Sequence, residues 1–418
     1  MASSAQRRIL PILKPALGRV LSGGGIYLIF VGVFALLTLI GIVAGIHALF
    51  IAGTRHAYGT YREIPVAILI STYIFFVVAS TGLCLISSLG HVFGFPSLLP
   101  IARRSVYLSI ITILSGFLVI GLEIEHPFRM AIYNILSPNL SSNIWWMGTL
   151  YSFAMVFLII EFIFLWRGTH GKAVIAGLLG VITEVAANTN LGGVFAMMHG
   201  RSFWYGQYLP FYFLLSALVT GCAFIIFFVV SAHKINRLVI DEMTAKALEV
   251  VGKLAVFFLI IVMIFTSWKM LTTSVGGVSA VEAMKALVTG PYAFNFWAIE
   301  VLAGMIVPLI LLFMSRFKNI LLMFTAATLM IFGIFFMRLD MVVVGQIVPL
   351  YYELGVAEFS RLHKYTPSIH EILVVLGGIG FCGLAFLLGE KIFAGFRKED
   401  SIPAAEQTVT VPEAKEVP

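Results

Sequence analysis

The amino-acid sequence predicts an all-α polytopic membrane protein with about ten transmembrane helices. Three observations carry that expectation. The chain is 60% hydrophobic and 11% charged, and its mean hydropathy is +1.02. A soluble protein of this length would need far more polar surface. The apolar residues come in long runs, which become helices because every backbone polar group in hydrocarbon must pair internally. The alternating apolar and polar pattern of a membrane barrel is missing from these runs.

Taken in order, 1–25 is a cytoplasmic N-terminal segment in which Arg7, Arg8, Lys14 and Arg19 accompany Pro11 and Pro15. No cleavable signal is evident, because the first apolar run is too long and lacks a small-residue cleavage site. The transmembrane domain covers 26–396. Its expected spans are Ile26–Ala52, Ile64–Val92, Ser105–Leu122, Trp145–Trp166, Ala173–Ala187, Tyr208–Ala232, Val250–Leu271, Phe294–Met314, Ile320–Met337 and Ile369–Leu388. Each is near the roughly 20 residues that cross a bilayer core, and the fifth is the shortest and most polar. The remainder, 397–418, is polar, carries Pro403, Pro412 and several glutamates, and reads as a disordered cytoplasmic tail. No clean internal repeat is apparent.

Lys and Arg set the orientation. With the N-terminus inside, they favour the inner segments by about two to one, so both termini are expected in the cytoplasm of a bacterial inner-membrane protein. The net charge of +7 is then a topology signal rather than a nucleic-acid footprint. The outer loops Glu123–Ile144, Asn188–Gln207, Thr272–Ala293 and Leu339–Ser368 are rich in Trp, Tyr and Pro and form a docking face for an external partner. His47, Glu123, Glu184, Glu300 and Arg338 fall in the outer parts of their helices. His91, Glu161 and His233 fall toward the inside.

The stretch from Gly121 to Tyr151 carries the chemistry. Ionisable groups at the mouth of a membrane helix are costly, which makes them functional candidates. Glu123 closes the third helix, and Glu125, His126 and Arg129 follow. A quinone needs a group that hydrogen-bonds its carbonyl and one that supplies or removes a proton, and a partly desolvated Glu123 can do either. The competing reading is an interfacial charge cluster solvated by water and headgroups. Trp145 and Trp146 either belong to the aromatic belt or pack on the ring. Tyr151, further into the fourth helix, can donate to a carbonyl. Tyr73 lies on the outer half of the second helix and could line the same pocket, although small and hydroxylated residues there also serve helix packing. Glu161, Glu184 and Glu300, with Glu123, form a candidate proton path; the alternative is carboxylates satisfied by neighbouring helices, for instance Glu184 by Asn188 and Thr189.

The nine histidines do not pair at one depth as axial haem ligands would. Cys84, Cys222 and Cys382 lie singly in apolar runs and read as packed thiols. No metal site and no haem are expected in this chain.

The same residues resemble the integral-membrane subunits of the NrfD/polysulfide reductase family. In that family the third helix ends in an acid followed by a Gly-Arg-Pro-x-Arg turn, and a Pro-Asn loop with serines leads to a Trp-initiated helix. Here Glu123 matches the acid, Pro127 the proline and Arg129 the second arginine. Ser137-Pro138-Asn139, Ser141-Ser142 and Trp146 match the loop and helix start. Glu125 replaces the glycine and His126 the first arginine, and Met147 stands where some relatives have an acid. Phe296-Trp297-Ala298-Ile299-Glu300 and Arg338-Leu339-Asp340-Met341-Val342-Val343, with Gly345-Gln346, resemble later stretches. Ten helices bring the chain nearest to the membrane subunits of the Qrc menaquinone reductase complex, alternative complex III and DsrP. The resemblance implies two four-helix bundles plus flanking helices, with a menaquinone site in the first bundle near the periplasmic face. It implies a periplasmic iron–sulfur subunit as partner, with molybdopterin-type and multihaem cytochrome c subunits as companions. The rival readings are a secondary transporter, which would show paired broken helices at the midplane, and a purely structural membrane anchor.

Overall fold

A computed structural model describes residues 18–20, 23–352, 361–393 and 396. The first seventeen residues of the basic lead-in, part of the loop before the last span and the tail 397–418 lie outside the described residues. Ten helices are long and apolar enough to cross a membrane. They are α1 (Gly25–Ala52), α2 (Ile68–His91), α3 (Pro96–Glu123), α4 (Asn143–Arg167), α5 (His170–Ala196), α6 (Tyr208–Ile235), α7 (Glu242–Ser274), α8 (Asn295–Met314), α9 (Ile320–Ile347) and α10 (Ile369–Ile392). Among the described residues the only extended pairing is a single bridge, Tyr61 to Ile64. The protein is an all-α, multi-pass membrane protein.

Four helices outrun the spans read from hydropathy: α3 already starts at Pro96 and α7 at Glu242, and α5 and α9 run on at their ends. α5 continues from Ala187 to Ala196, because the Asn and Gly residues that lower its hydropathy are absorbed by packing. Asn190 donates to the Asn143 carbonyl at 2.8 Å. α9 continues ten residues beyond Met337, and the polar residues that ended the apolar run are buried within it. Gln346 donates to the carbonyls of Val66 at 2.7 Å and Val342 at 2.8 Å, and Asn295 donates to Asp340 at 3.3 Å. Arg201 lies over the end of α9 and donates to the carbonyls of Gln346 and Val348, groups that a helix C-terminus leaves without partners.

Helices α2–α5 close into one four-helix bundle and α6–α9 into a second, with α2 and α6 at the seam. Their backbones approach so closely that a Cβ on Gly82 would lie 2.8 Å from the Gly221 nitrogen, and one on Gly221 would lie 2.8 Å from the Gly82 Cα. Small residues permit this contact, which drives helix association in membranes. Around it Tyr73, Thr81 and Gly82 recur as Tyr212, Thr220 and Gly221 with the same spacing. Each bundle also has a short helix before its third member, Pro127–Leu136 before α4 and Val278–Val288 before α8. Trp145 donates from Nε1 to the Asn134 carbonyl at 2.8 Å, and Trp297 to that of Val288 at 3.0 Å. The two bundles are therefore structural repeats that the diffuse sequence similarity concealed. The match breaks at α8, whose first twelve residues, Asn295–Ile306, form a π-helix ahead of Pro308. Its counterpart α4 is regular throughout.

α1 and α10 pack on each other outside the bundles, and α10 also packs on α3. A Cβ on Gly377 would lie 2.7 Å from the Gly41 Cα. At one end of this pair His47 and His370 are 3.1 Å apart. At the other, Arg104 of α3 and Glu390 of α10 form a buried two-point ion pair at 2.6 and 3.2 Å. The two membrane boundaries are named below the Glu123 end and the Glu390 end.

Candidate functional site

The first group of polar side chains is built where α3 ends. Glu123 is the last residue of α3, and its Oε2 is buried with no hydrogen-bond partner among the described residues. Tyr58 follows the four-residue helix Thr54–Ala57 and donates to the Leu122 carbonyl, and the next residue, Gly59, donates its N–H to Glu371 at 2.9 Å. Two adjacent residues thus tie the end of α3 to the start of α10. Tyr365 donates to Glu371 Oε1 at 2.9 Å. Burial pushes the Tyr58 phenol up, and the Glu123 and Glu371 carboxylates add to it. Burial also pushes the Tyr365 phenol up, reinforced mainly by Glu371. Both phenols therefore stay protonated and serve as donors.

A second group lies deeper in the first bundle. Gly116 is seven residues before Glu123, which places it on the same face of α3 about 10 Å further in. A Cβ there would lie 3.4 Å from the Tyr73 ring. Tyr73 and Tyr151 are buried together, and the Tyr151 hydroxyl has no hydrogen-bond partner among the described residues. It lies within electrostatic reach of Glu184 and Arg338. Glu184 accepts from Ser80 at 2.8 Å and Thr81 at 2.7 Å, and Ser80 bonds Ser109 at 2.7 Å. Arg338 donates to Ser216 and stands over the Phe213 ring, 4.5 Å from its centre. Its Nε and Nη1, with both side-chain polar atoms of Asn188, have no partner among the described residues. Buried polar atoms without partners mark sites where water or a ligand is accommodated.

A third group continues toward the Glu390 end. Glu161 Oε1 lies 2.7 Å from His91 Nε2, with both side chains almost fully buried. The wall beside them is glycine. A Cβ on Gly177 would lie 3.0 Å from His91 Nε2, and one on Gly180 would lie 3.5 Å from Glu161 Oε2. Glu184 is one turn, about 6 Å, beyond Gly180 on α5. His91, Glu161, Glu184, Thr81 and Tyr151 thus form a polar ladder through the first bundle.

Glu300, the remaining carboxylate expected on a proton path, belongs to the second bundle. It lies on the π-helical part of α8 beside a cavity that Ser216, Gly304 and Met337 also line, within electrostatic reach of Lys269, Asp340 and Arg338.

The structure separates the other residues singled out in the sequence. His126 and Arg129 are exposed, on and before the short helix Pro127–Leu136. Arg129 stands over Tyr133 of the same helix, and neither residue bonds Glu123. The indoles of Trp145 and Trp146 meet edge to face at 4.8 Å. Both ring nitrogens hold the preceding loop, Trp146 through the Leu140 carbonyl at 2.9 Å. A Cβ on Gly121 would meet nothing within 4 Å, so α3 is uncovered on that face near its end. Sequence reading missed Tyr58, Glu371 and Tyr365. Ser368-x-x-Glu371 ahead of an apolar run is a capping-box signature, and the box is formed. That signal announced a helix start and left the second use of the Glu371 carboxylate hidden.

Among the described residues no three His, Cys, Asp or Glu side chains converge in a metal-holding group.

The model of the polysulphide reductase NrfD family matches residues 56–349. The chain belongs to the NrfD family. The resemblance read from Glu123–Trp146 is borne out, and the matched range contains both bundles, α2–α9, leaving α1 and α10 outside it. The chain is 22% identical over 375 residues to a selenate reductase subunit of Mesobacillus selenatarsenatis, covering 79% of this chain and 86% of the relative. It is 23% identical over 380 residues to the Hdr-like menaquinol oxidoreductase integral membrane subunit of Archaeoglobus fulgidus, covering 86% and 93%.

Proposed function

We propose that this NrfD-family chain is the quinone-binding membrane subunit of a respiratory oxidoreductase complex. It exchanges electrons between an iron–sulfur partner and menaquinone. The observation that carries the reading is the carboxyl of Glu123, with a buried and unpartnered oxygen at the very end of α3. A name that includes menaquinol, on a relative aligned over most of both chains, supports the choice of substrate. Reducing a quinone takes two electrons and two protons. The electrons come from the partner complex. The protons are this chain's task.

Glu123 gives or takes one proton at a quinone carbonyl, and the Tyr151 hydroxyl is the donor deeper in the bundle. Trp145 and Trp146 hold the loop that rims the opening, with His126 and Arg129 on its exposed face. The ladder Glu184–Glu161–His91 lets protons reach the site from the Glu390 end. The Glu123 end faces the periplasm in this reading, where the iron–sulfur subunit docks beside molybdopterin-type and multihaem cytochrome c subunits. Both termini are then cytoplasmic. A transporter would need broken helices in matching halves, and only one member of the α4/α8 pair departs from regular geometry.

The test is Glu123→Gln in the assembled complex. Quinone turnover is expected to fall by about 10²-fold or more, the scale of a lost general acid–base group. Wild-type turnover in the assembled variant refutes the role of Glu123.

A further inference from the structure

The two carboxyls at the Glu123 end are unlike each other. Glu371 is 1% exposed and accepts from three donors, Gly59 N at 2.9 Å, Ser368 N at 2.7 Å and Tyr365 Oη at 2.9 Å. Tyr365 Oη also accepts from Ile68 N at 3.4 Å, so its own hydrogen is free for Glu371. Three donors on two oxygens are the surroundings that suit a carboxylate. Glu123 has the opposite surroundings, a buried Oε2 with no donor among the described residues. An unpaired charge buried there is costly, and a neutral acid less so. The carboxyls share neighbours, since Tyr58 binds the Leu122 carbonyl while Gly59 binds Glu371. Each lies within electrostatic reach of the other, and like charges at such a site do not both ionise freely.

We propose that Glu371 is a positioning residue for the Glu123 site: its donor-filled carboxylate fixes Tyr58 and Tyr365 over the end of α3 and leaves the proton of the acid pair on Glu123. The proposal rests on the reading of Glu123 as the proton-handling group. It places control of that group on α10, outside the family match. Four other titratable groups at this end are paired among themselves, while His56, beside Tyr58, and His126, after Glu123, are exposed. His47 of α1 contacts His370 of α10 at 3.1 Å, and Arg55 pairs with Glu125 at 3.8 Å; His370 is half-buried and the other three are exposed.

The test is Glu371→Gln in the assembled complex, with quinone turnover measured from acid to alkaline pH. Removing the neighbouring charge lets Glu123 release its proton more easily. The limb of the pH profile that belongs to Glu123 is expected to move to lower pH by about one unit or more, in either direction of electron flow. The KM for quinone is expected to stay within about twofold, because Glu371 faces backbone and phenol donors rather than the opening. A purely structural role would lower stability and leave the limb in place, and that outcome overturns the proposal. If Glu371→Gln does not assemble, Tyr365→Phe removes one donor and keeps the two backbone donors. A smaller shift in the same direction supports the proposal, and an unmoved limb overturns it. Full turnover in Glu123→Gln would instead sink the reading of Glu123. Impaired Glu123→Gln beside a wild-type profile in Glu371→Gln removes the role of Glu371 alone.

Discussion

His91→Leu tests whether the buried His91–Glu161 pair holds a transferable proton. His91 Nδ1 lies 3.0 Å from the Ser87 carbonyl, one turn back on α2, so it must carry a hydrogen. The contact of 2.7 Å between His91 Nε2 and Glu161 Oε1 then needs one more hydrogen between two atoms that would otherwise present lone pairs to each other. The pair shares that proton inside the membrane, beside the glycine wall of α5. Leucine at position 91 leaves the Glu161 carboxyl fully buried without the basic neighbour it has among the described residues. Breaking a buried pair from one side costs about 3–5 kcal/mol, roughly 10²- to 10⁴-fold in the ratio of folded to unfolded protein. Replacing both partners by apolar residues costs far less, because no charge is left stranded. The assay is a double-mutant cycle of His91→Leu, Glu161→Leu and the double variant, read by denaturation of the purified chain in detergent and by quinone turnover. The single His91 variant is expected to lose stability, and the double variant to recover most of it. Turnover is expected to stay low in both, because the ladder is interrupted in both. A His91→Leu chain as stable as wild type, or a double variant no better than the single, refutes the shared-proton argument.

Gly82→Val is expected to abolish folded protein, because even a Cβ collides with the α6 backbone at Gly221; the yield of monodisperse protein in detergent reads it. Arg104→Met should cost about 3–5 kcal/mol by stranding buried Glu390, with much of the loss restored in Arg104→Met/Glu390→Met; thermal denaturation measures both. Trp145→Phe removes the hydrogen bond to the Asn134 carbonyl, for about 0.5–1.5 kcal/mol, and should raise protease cleavage within Pro127–Leu136 before global stability changes. Because the Tyr58 phenol is raised by burial and by Glu123 and Glu371, its contribution to stability is complete below pH ~10, where the unfolded phenol titrates, and is lost as pH rises toward the folded value. Tyr58→Phe should flatten alkaline denaturation above pH ~10.

The ten helices were legible because uninterrupted apolar runs leave the chain no alternative in hydrocarbon. The largest error in length, at the end of α9, has a physical cause. Arg338 and Asp340 ended the apolar run of α9 on paper, yet other helices surround and hold them, so the helix does not stop. Hydropathy counts a charge and does not see its partner. Glu123, Tyr73, Tyr151, Glu161 and Glu184 stood out because polar groups in apolar runs are rare. Their neighbours did not. Gly59 and Glu371 meet across 312 residues, and no local spacing announces such a contact. His126 and Arg129 were chosen for their nearness to Glu123 in the chain. The turn after α3 carries them away from it, onto an exposed surface.

The clasp between α1 and α10 also bears on how the protein is made. His47 and His370 are separated by 323 residues, and the Gly41–Gly377 crossing joins equally distant parts of the chain. Made in chain order, α1 must wait in the bilayer for α10, which follows it by eight intervening spans. Until α10 is inserted, Gly59 lacks its carboxylate acceptor and α1 has an unmatched face. Both bundles can be complete before that moment, whereas the acid pair cannot. The Glu123 end is thus completed only after the scaffold of both bundles can already be standing.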